Sequence, residues 1–320
     1  MRLIEGLDAL LALDLVGLYG DSPSSRSVVA VGVFDGVHLG HQRLLHDLLE
    51  MSSALPGMPT VVTFANHPDQ VLHGQSPPPL VSVPHRLRLL RRAGVSRLVL
   101  LQFEPRLQNM TAREFTQQVL VGALRTRGLL LGYDSALGKG REGTPARFRE
   151  LGSEFGFEVH AGAPFLVDGQ AVSSTAIRAA IRAGDLVLAH RYLGRFPGAI
   201  GAVVHGDARG RTLGFPTANV VPQPGVLPPG GVYACEAILD GVVFRAVANL
   251  GTRPTFGGGG AADEPCLEVH LLDFHGDLYG RELEVTFRRL LRPERRFADA
   301  AELRAQIERD IAAARAALQA

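Results

Sequence analysis

An apolar, β-branched run at Val28 to Val33 gives way within a few residues to an amphipathic stretch at His41 to Glu50, and this strand-then-helix step recurs three more times before residue 155. The later strand candidates are Thr60 to Phe64, Arg97 to Leu101 and Gly128 to Leu131, and helix candidates follow them at Pro84 to Ala93, Thr111 to Leu120 and Ala146 to Phe155. Such alternation predicts a parallel, doubly wound α/β sheet, because parallel strands need a crossover between them. Ligands of these sheets bind beyond the carboxyl ends of the strands, where Phe34 to His41 fall.

Around that point the chain reads VGVFDGVHLGHQRLL, Val31 to Leu45. His38 and His41 are one helical turn apart, so at a helix start they share a face and address one ligand. Unpaired N–H groups and the positive dipole end suit a phosphate there, and Gly32, Gly36 and Gly40 let the backbone come close. Two imidazoles can donate to charge developing on a phosphoryl oxygen. A strand-to-helix turn with two surface histidines is the plainer alternative. Further on, VSSTAIRAAIRAGD sets Ser173, Ser174 and Thr175 at a helix start with Arg178 one turn in, an arrangement suited to a triphosphate or to simple capping.

From about Phe196 the texture changes. Gly- and Pro-rich turns separate short strands at Ala199 to His205, Val232 to Leu239, Val242 to Asn249, Cys266 to Leu272 and Glu282 to Leu290, which predicts a small antiparallel barrel or sandwich, closed by a helix at Ala298 to Leu318. Two domains are expected, residues 1–190 and 191–320. Within the second, GAVVHGDARGRTLGFPTANV offers a Gly-rich loop with Gly206, Gly210 and Gly214, the fixed charge of Arg211, and two oxygen donors, Thr217 and Asn219, spaced for one metal ion. No Walker-type loop is present. In LEVHL, Glu268 and His270 share one strand face, where a carboxylate can accept the proton of an attacking alcohol.

A net charge of +1 over 320 residues gives no global pull toward nucleic acid or membrane. Glu5, Asp8 and Asp14 interrupt the apolar N-terminus, so neither a signal peptide nor a membrane span is expected, and the cytoplasm is the expected compartment. Cys235 and Cys266 lack metal-type spacing and are expected to be buried free thiols.

The HxGH segment resembles the signature of the nucleotidyltransferase superfamily, and its fuller form, GxFDGxHxGHxxL, is similar to that of prokaryotic FAD synthetases. The SSTAIR segment resembles the same family's SSTxIR motif, and TFANHPDQVL its TFxPHP segment. By that resemblance Gly32, Phe34, Asp35, Gly36, His38, His41, Ser173, Ser174, Thr175 and Arg178 contact ATP, with His38, His41 and Arg178 catalytic. Asn66, His67, Asp69, Asp134 and Arg141 position flavin and phosphate. The segment LGYDSALGKGREG departs from the family's GxDFxFGxxRxG, with Ser135 and Leu137 standing where two phenylalanines are expected.

The second half is similar to riboflavin kinases, in GxxxxGxxxGRxxGxPTAN, NxGxxPTF and E-x-H-L. This implies ATP at Gly206, Gly210, Arg211, Gly214, Pro216, Thr217 and Asn219, with Mg²⁺ on the last two. It also implies riboflavin at Asn249, Gly251, Pro254, Thr255 and Glu268, with Glu268 the general base. The whole, from Val28 to Phe297, resembles the bifunctional riboflavin kinase/FAD synthetase family. The resemblance implies a Rossmann-like α/β nucleotidyltransferase domain followed by an antiparallel β-barrel kinase domain with a C-terminal helix. Such a chain converts riboflavin to FMN and FMN to FAD, with ATP and Mg²⁺ at both sites. The alternatives are a kinase with a regulatory first domain, a flavin-binding regulator without catalysis, and a nucleotidyltransferase for another acceptor.

Overall fold

In the computed structural model, which describes residues 2–205, 213–253 and 264–319, six first-half strands form one parallel sheet. They are β1 (Arg2–Glu5), β2 (Ser27–Val31), β3 (Met58–Phe64), β4 (Arg97–Leu101), β5 (Thr126–Leu131) and β6 (Glu158–Ala161), in the order β1-β4-β3-β2-β5-β6. Every residue of β2 is buried, as an unbroken apolar run requires when both sheet faces are covered. The chain winds outward from β2 through β3 and β4, then returns to place β5 on the other side of β2. The point where the winding reverses lies between β2 and β5, just where the Phe34 to His41 segment leaves β2.

The helices follow from local chemistry. His38 caps the helix Leu39–Ala54, which buries Leu44, Leu45 and Leu48 along one face. Thr111 and Glu114 form a reciprocal capping box at Ala112–Phe115, and the expected helix then widens into a π-helical stretch, Thr116–Ala123. The strands β1 and β6 were not expected. Both are four-residue edge strands; β1 buries only Ile4 and β6 buries none of its residues, so neither carries an apolar run.

In the second half, β9 (Gly198–Val204), β10 (Ala218–Pro222), β11 (Gly231–Leu239), β12 (Val242–Arg253), β13 (Glu264–Leu271) and β14 (Glu282–Arg292) close an antiparallel barrel, β10-β13-β12-β11-β14-β9. Closure selects the barrel over the sandwich. A short hairpin, β7 (Leu166–Val167) with β8 (Gln170–Ala171), precedes it in the chain. Inward positions alternate along the strands, so Leu267, Val269 and Leu271 of β13 meet Ala248 and Leu250 of β12 and Ala218 and Val220 of β10 in the barrel core. The terminal helix, Ala300–Ala317, starts at Asp299, whose carboxylate accepts from the Glu302 N–H.

The chain divides into two compact units, Met1–Pro77 with Arg86–Ser173, and Pro78–His85 with Ser174–Ala320. Cys235 is buried in the barrel core, where burial pushes its thiol pKa up. Cys266 is likewise in no disulfide but only half-buried, contrary to expectation, because it shares the outward parity of Glu268 near the start of β13.

Candidate functional site

Beyond β2 the backbone makes an unusual turn. Phe34, Gly36 and Val37 have φ of 53°, 72° and 42°, two of them side chains that disfavour this region. Phe34, Asp35 and Val37 are nevertheless buried, so packing holds the turn in place. It delivers His38 to the N-cap of the next helix, where Nδ1 accepts from the His41 N–H at 3.4 Å. A ring nitrogen that accepts leaves the proton on Nε2. The His38 and His41 rings stack at 3.6 Å, 19° from parallel, and Phe34 packs on His41 at 5.2 Å. A Cβ at Gly40 would sit 3.2 Å from the His38 ring, so glycine leaves room for the stack.

His41 keeps partial exposure, while its Nδ1 is buried with no hydrogen-bond partner among the described residues. Burial, then the neighbouring His38 and Arg86, hold its pKa well below the usual histidine value. Arg86 escaped the sequence reading. Buried on the helix Val83–Arg92, it donates to the Val33 carbonyl at 2.9 Å and to the Phe64 carbonyl, tying together the chain ends that leave β2 and β3.

The other expected residues of the first domain fare differently. Asn66 is committed to the fold, because its amide nitrogen donates to the Phe103 carbonyl at 2.9 Å and its oxygen accepts from the Phe103 N–H at 2.8 Å. His67 caps the helix Pro68–His73 and lies 3.5 Å from the Asp69 carboxylate, and both residues are half-buried. Asp134 and Arg141 are exposed. Leu137 pairs with Gly143 through two backbone hydrogen bonds, Ser135 is half-buried, and Tyr133 is 53% exposed. The segment thus keeps one accessible aromatic although both expected phenylalanines are absent. Ser173 closes the first unit and Ser174 opens the second, with the helix Ser174–Arg182. Arg178 on that helix is buried, and its Nε donates to the Pro78 carbonyl at 2.7 Å.

The barrel presents a second site. Glu268 of β13 lies directly opposite Asn219 of β10 on one side and Asn249 of β12 on the other, so three polar side chains stand abreast on the outward face. They line a cavity of about 450 Å³, together with Thr217 and His270. Apolar side chains, Phe297, Leu303, Ile307, Ile311, Val232 and Val247, line it as well, together with the charged Arg292, Glu294, Arg295 and Asp310. The lining therefore combines groups that suit phosphates and a hydroxyl with apolar side chains that suit a planar ring.

His270 Nδ1 lies 2.7 Å from the Pro216 carbonyl and donates to it, and the His270 ring meets Phe215 edge to face. This contact fixes the residues that lead into β10, a strand the sequence reading took for loop. Glu294, also unforeseen, accepts from the Asn249 amide at 3.3 Å, and a Cβ at Gly251 would fall 2.6 Å from its carboxylate oxygen. Glycine at 251 leaves room for that carboxylate, and a larger side chain there would make the tip of Glu294 shift. Gly214 and Pro216 are exposed at the cavity approach, whereas Gly206, Gly210, Arg211, Pro254 and Thr255 lie outside the described residues.

The terminal helix is held by a pair that spacing does not reveal. Arg292 Nε and Nη2 donate to both Asp310 carboxylate oxygens at 2.9–3.1 Å, and Gln306 adds a third donor at 2.7 Å. Asp310 is buried and Arg292 mostly so. Asp310→Asn leaves the guanidinium without its countercharge. A loss of about 2 to 3 kcal/mol is expected in denaturant unfolding, since removing one partner of a largely buried pair costs more than an exposed bridge is worth.

Comparison with known proteins agrees with this division. Family models for FAD synthetase and for riboflavin kinase match residues 21–176 and 193–318. The chain is 40% identical over 319 residues to the bifunctional riboflavin kinase/FMN adenylyltransferase of Escherichia coli strain K12, covering 98% of this chain and 97% of that protein. It is 41% identical over 302 residues to the protein of that description from Pseudomonas fluorescens, covering 94% and 96%. For Bacillus subtilis the figures are 33% over 293 residues, covering 89% and 90%. A crystal structure described as a macrolide-efflux protein from Streptococcus pneumoniae superposes with a TM-score of 0.79 at 32% identity, covering 92% of this chain and 96% of that one. Among the described residues, no helix is long and apolar enough to cross a membrane.

Proposed function

The chain belongs to the bifunctional riboflavin kinase/FMN adenylyltransferase family, and from that premise we propose that residues 191–320 phosphorylate riboflavin to FMN and residues 1–190 adenylylate FMN to FAD, each with ATP. The observation that carries the kinase half is the row Asn219, Glu268, Asn249 on the wall of a cavity lined by both polar and apolar side chains. The Glu268 carboxylate takes the proton of the flavin's primary alcohol as that oxygen attacks the γ-phosphorus of ATP, and ADP leaves. Asn219 and Asn249 hold the carboxylate's surroundings polar, while the wall of Phe297, Leu303 and Ile307 receives the ring system.

Thr217 and Asn219 supply two uncharged oxygens to the same cavity, and the described residues hold no acidic or histidine cluster of metal-binding kind. That set fits Mg²⁺, which takes most of its ligands from phosphates and water. When bound, the ion neutralises phosphate charge. Thr217→Val is accordingly expected to raise the KM for ATP in FMN formation by about tenfold, with FAD formation from supplied FMN unchanged. Steady-state kinetics of the two reactions on one preparation measure both.

In the adenylylating half, an FMN phosphate oxygen attacks the α-phosphorus of ATP and pyrophosphate leaves, which demands positioning and charge neutralisation rather than a covalent nucleophile. His38, through Nε2–H, and His41 stand where that charge develops, at the N-terminus of the helix Leu39–Ala54. By family resemblance Ser173, Ser174, Thr175 and Arg178 contact ATP, and Asp134 and Arg141 the flavin phosphate. Exposed Tyr133 supplies an aromatic face for a planar ring. The reading needs no nucleic acid partner and places the enzyme in the cytoplasm. Incubation of the protein with FMN, ATP and Mg²⁺ tests this half. FAD and pyrophosphate are the expected products, and their absence leaves a kinase alone.

A further inference from the structure

Arg86 is a buried cation that neither half-reaction, as described, employs. It is 6% exposed, and its two terminal nitrogens are spent on the carbonyls of Val33 and Phe64. Thr63 Oγ1 donates to the same Val33 carbonyl at 3.0 Å. Carbonyls leaving the carboxyl ends of parallel strands have no strand partner, and uncapped they would turn partial negative charge toward an approaching polyphosphate. Arg86 Nε is buried and His41 Nδ1 is buried, each without a hydrogen-bond partner among the described residues. Orphaned polar atoms of this kind are costly in a finished core and ordinary in a site that awaits a ligand.

We propose that Arg86 is a positioning residue for adenylyl transfer: it pins the chain at Val33 and Phe64 so that the Phe34–His41 turn stands at the switch point, and it sets a fixed positive charge behind His41 for the phosphates of a nucleoside triphosphate. The proposal rests on the adenylyltransferase reading. Burial lowers the Arg86 pKa, and the buried carboxylate of Asp35 works against that shift. The charged and titratable groups that bear on His41 are His38 and Arg86, both disfavouring its protonated form. Burial does most to keep His41 neutral, and the charges of His38 and Arg86 add to it.

The test follows FAD formation from FMN, ATP and Mg²⁺ from about pH 5 to about pH 9, with the circular-dichroism spectrum and thermal unfolding of each variant as the measure of folding and riboflavin phosphorylation as the internal activity standard. Arg86→Met is expected to lower kcat by about tenfold and to move the acid limb to higher pH, because His41 then accepts a proton more readily. Riboflavin phosphorylation stays at the wild-type rate. Arg86→Lys, which keeps the charge, is expected to return the acid limb to its wild-type position and to recover most of the rate. A purely mechanical tie would leave the acid limb unmoved in both variants. FAD formation within about threefold of wild type in Arg86→Met, or a lowered rate with an unmoved acid limb, overturns the proposal. Where Arg86→Met fails to fold, Arg86→Gln, which keeps donors without charge, takes its place with the same two outcomes. A wild-type protein that makes no FAD defeats the adenylyltransferase reading itself, a separate result.

Discussion

Glu268→Gln abolishes FMN formation from riboflavin and leaves FAD formation from supplied FMN at the wild-type rate. The substitution keeps size and hydrogen bonding but replaces a proton acceptor by an amide, which cannot take the alcohol proton. Loss of a general base costs about 10²- to 10⁴-fold in rate. The residue is open to this role because of strand parity. Leu267 and Val269 turn into the barrel core, so Glu268 must turn out, into the cavity wall between Asn219 and Asn249. Packing is therefore unaffected by the change, and separate assays with riboflavin and with FMN distinguish the outcomes. Equal loss of both reactions would contradict the assignment of the two activities to two sites.

His38→Ala combined with His41→Ala gives the converse result, loss of FAD formation with riboflavin phosphorylation spared. Removing a preorganised donor to developing negative charge costs about 10²- to 10³-fold, and two stacked imidazoles at one helix start are lost together. The double variant also removes the cap that His38 supplies, worth about 1 kcal/mol. His38→Asn with His41→Ala restores a capping acceptor and should be as inactive in FAD formation, which separates chemistry from helix stability. Persistence of FAD synthesis in either variant would mean that these histidines serve the fold alone.

The parts of this architecture that rest on short-range pattern were legible in the sequence. β2 through β5 carry apolar runs, and β9 and β11 through β14 alternate between turns, so their positions follow from periodicity. β1 and β6 are brief edge strands with little to bury, and β10 is short and follows closely on Gly214 and Pro216, which mimic a loop. The site divided the same way. His38, His41, Thr217, Asn219 and Glu268 announce themselves by spacing or parity.

Arg86 did not, because the helix VPHRLRLLRR holds four arginines, and only the tertiary path of Val33 and Phe64 singles one out. Asn66 failed in the opposite sense. An amide beside a histidine reads as a ligand contact, and its two bonds to Phe103, 37 residues away, are invisible in the sequence. The Arg292–Asp310 pair and the approach of Glu294 to Gly251 are long-range in the same way, and both shape the cavity beside the terminal helix.

Chromatographic separation of flavins during incubation of the intact protein with riboflavin, ATP and Mg²⁺ tests the two-site account most directly. FMN should appear first and then decline as FAD accumulates with stoichiometric pyrophosphate. A reaction that stops at FMN, with none converted on longer incubation, would contradict it.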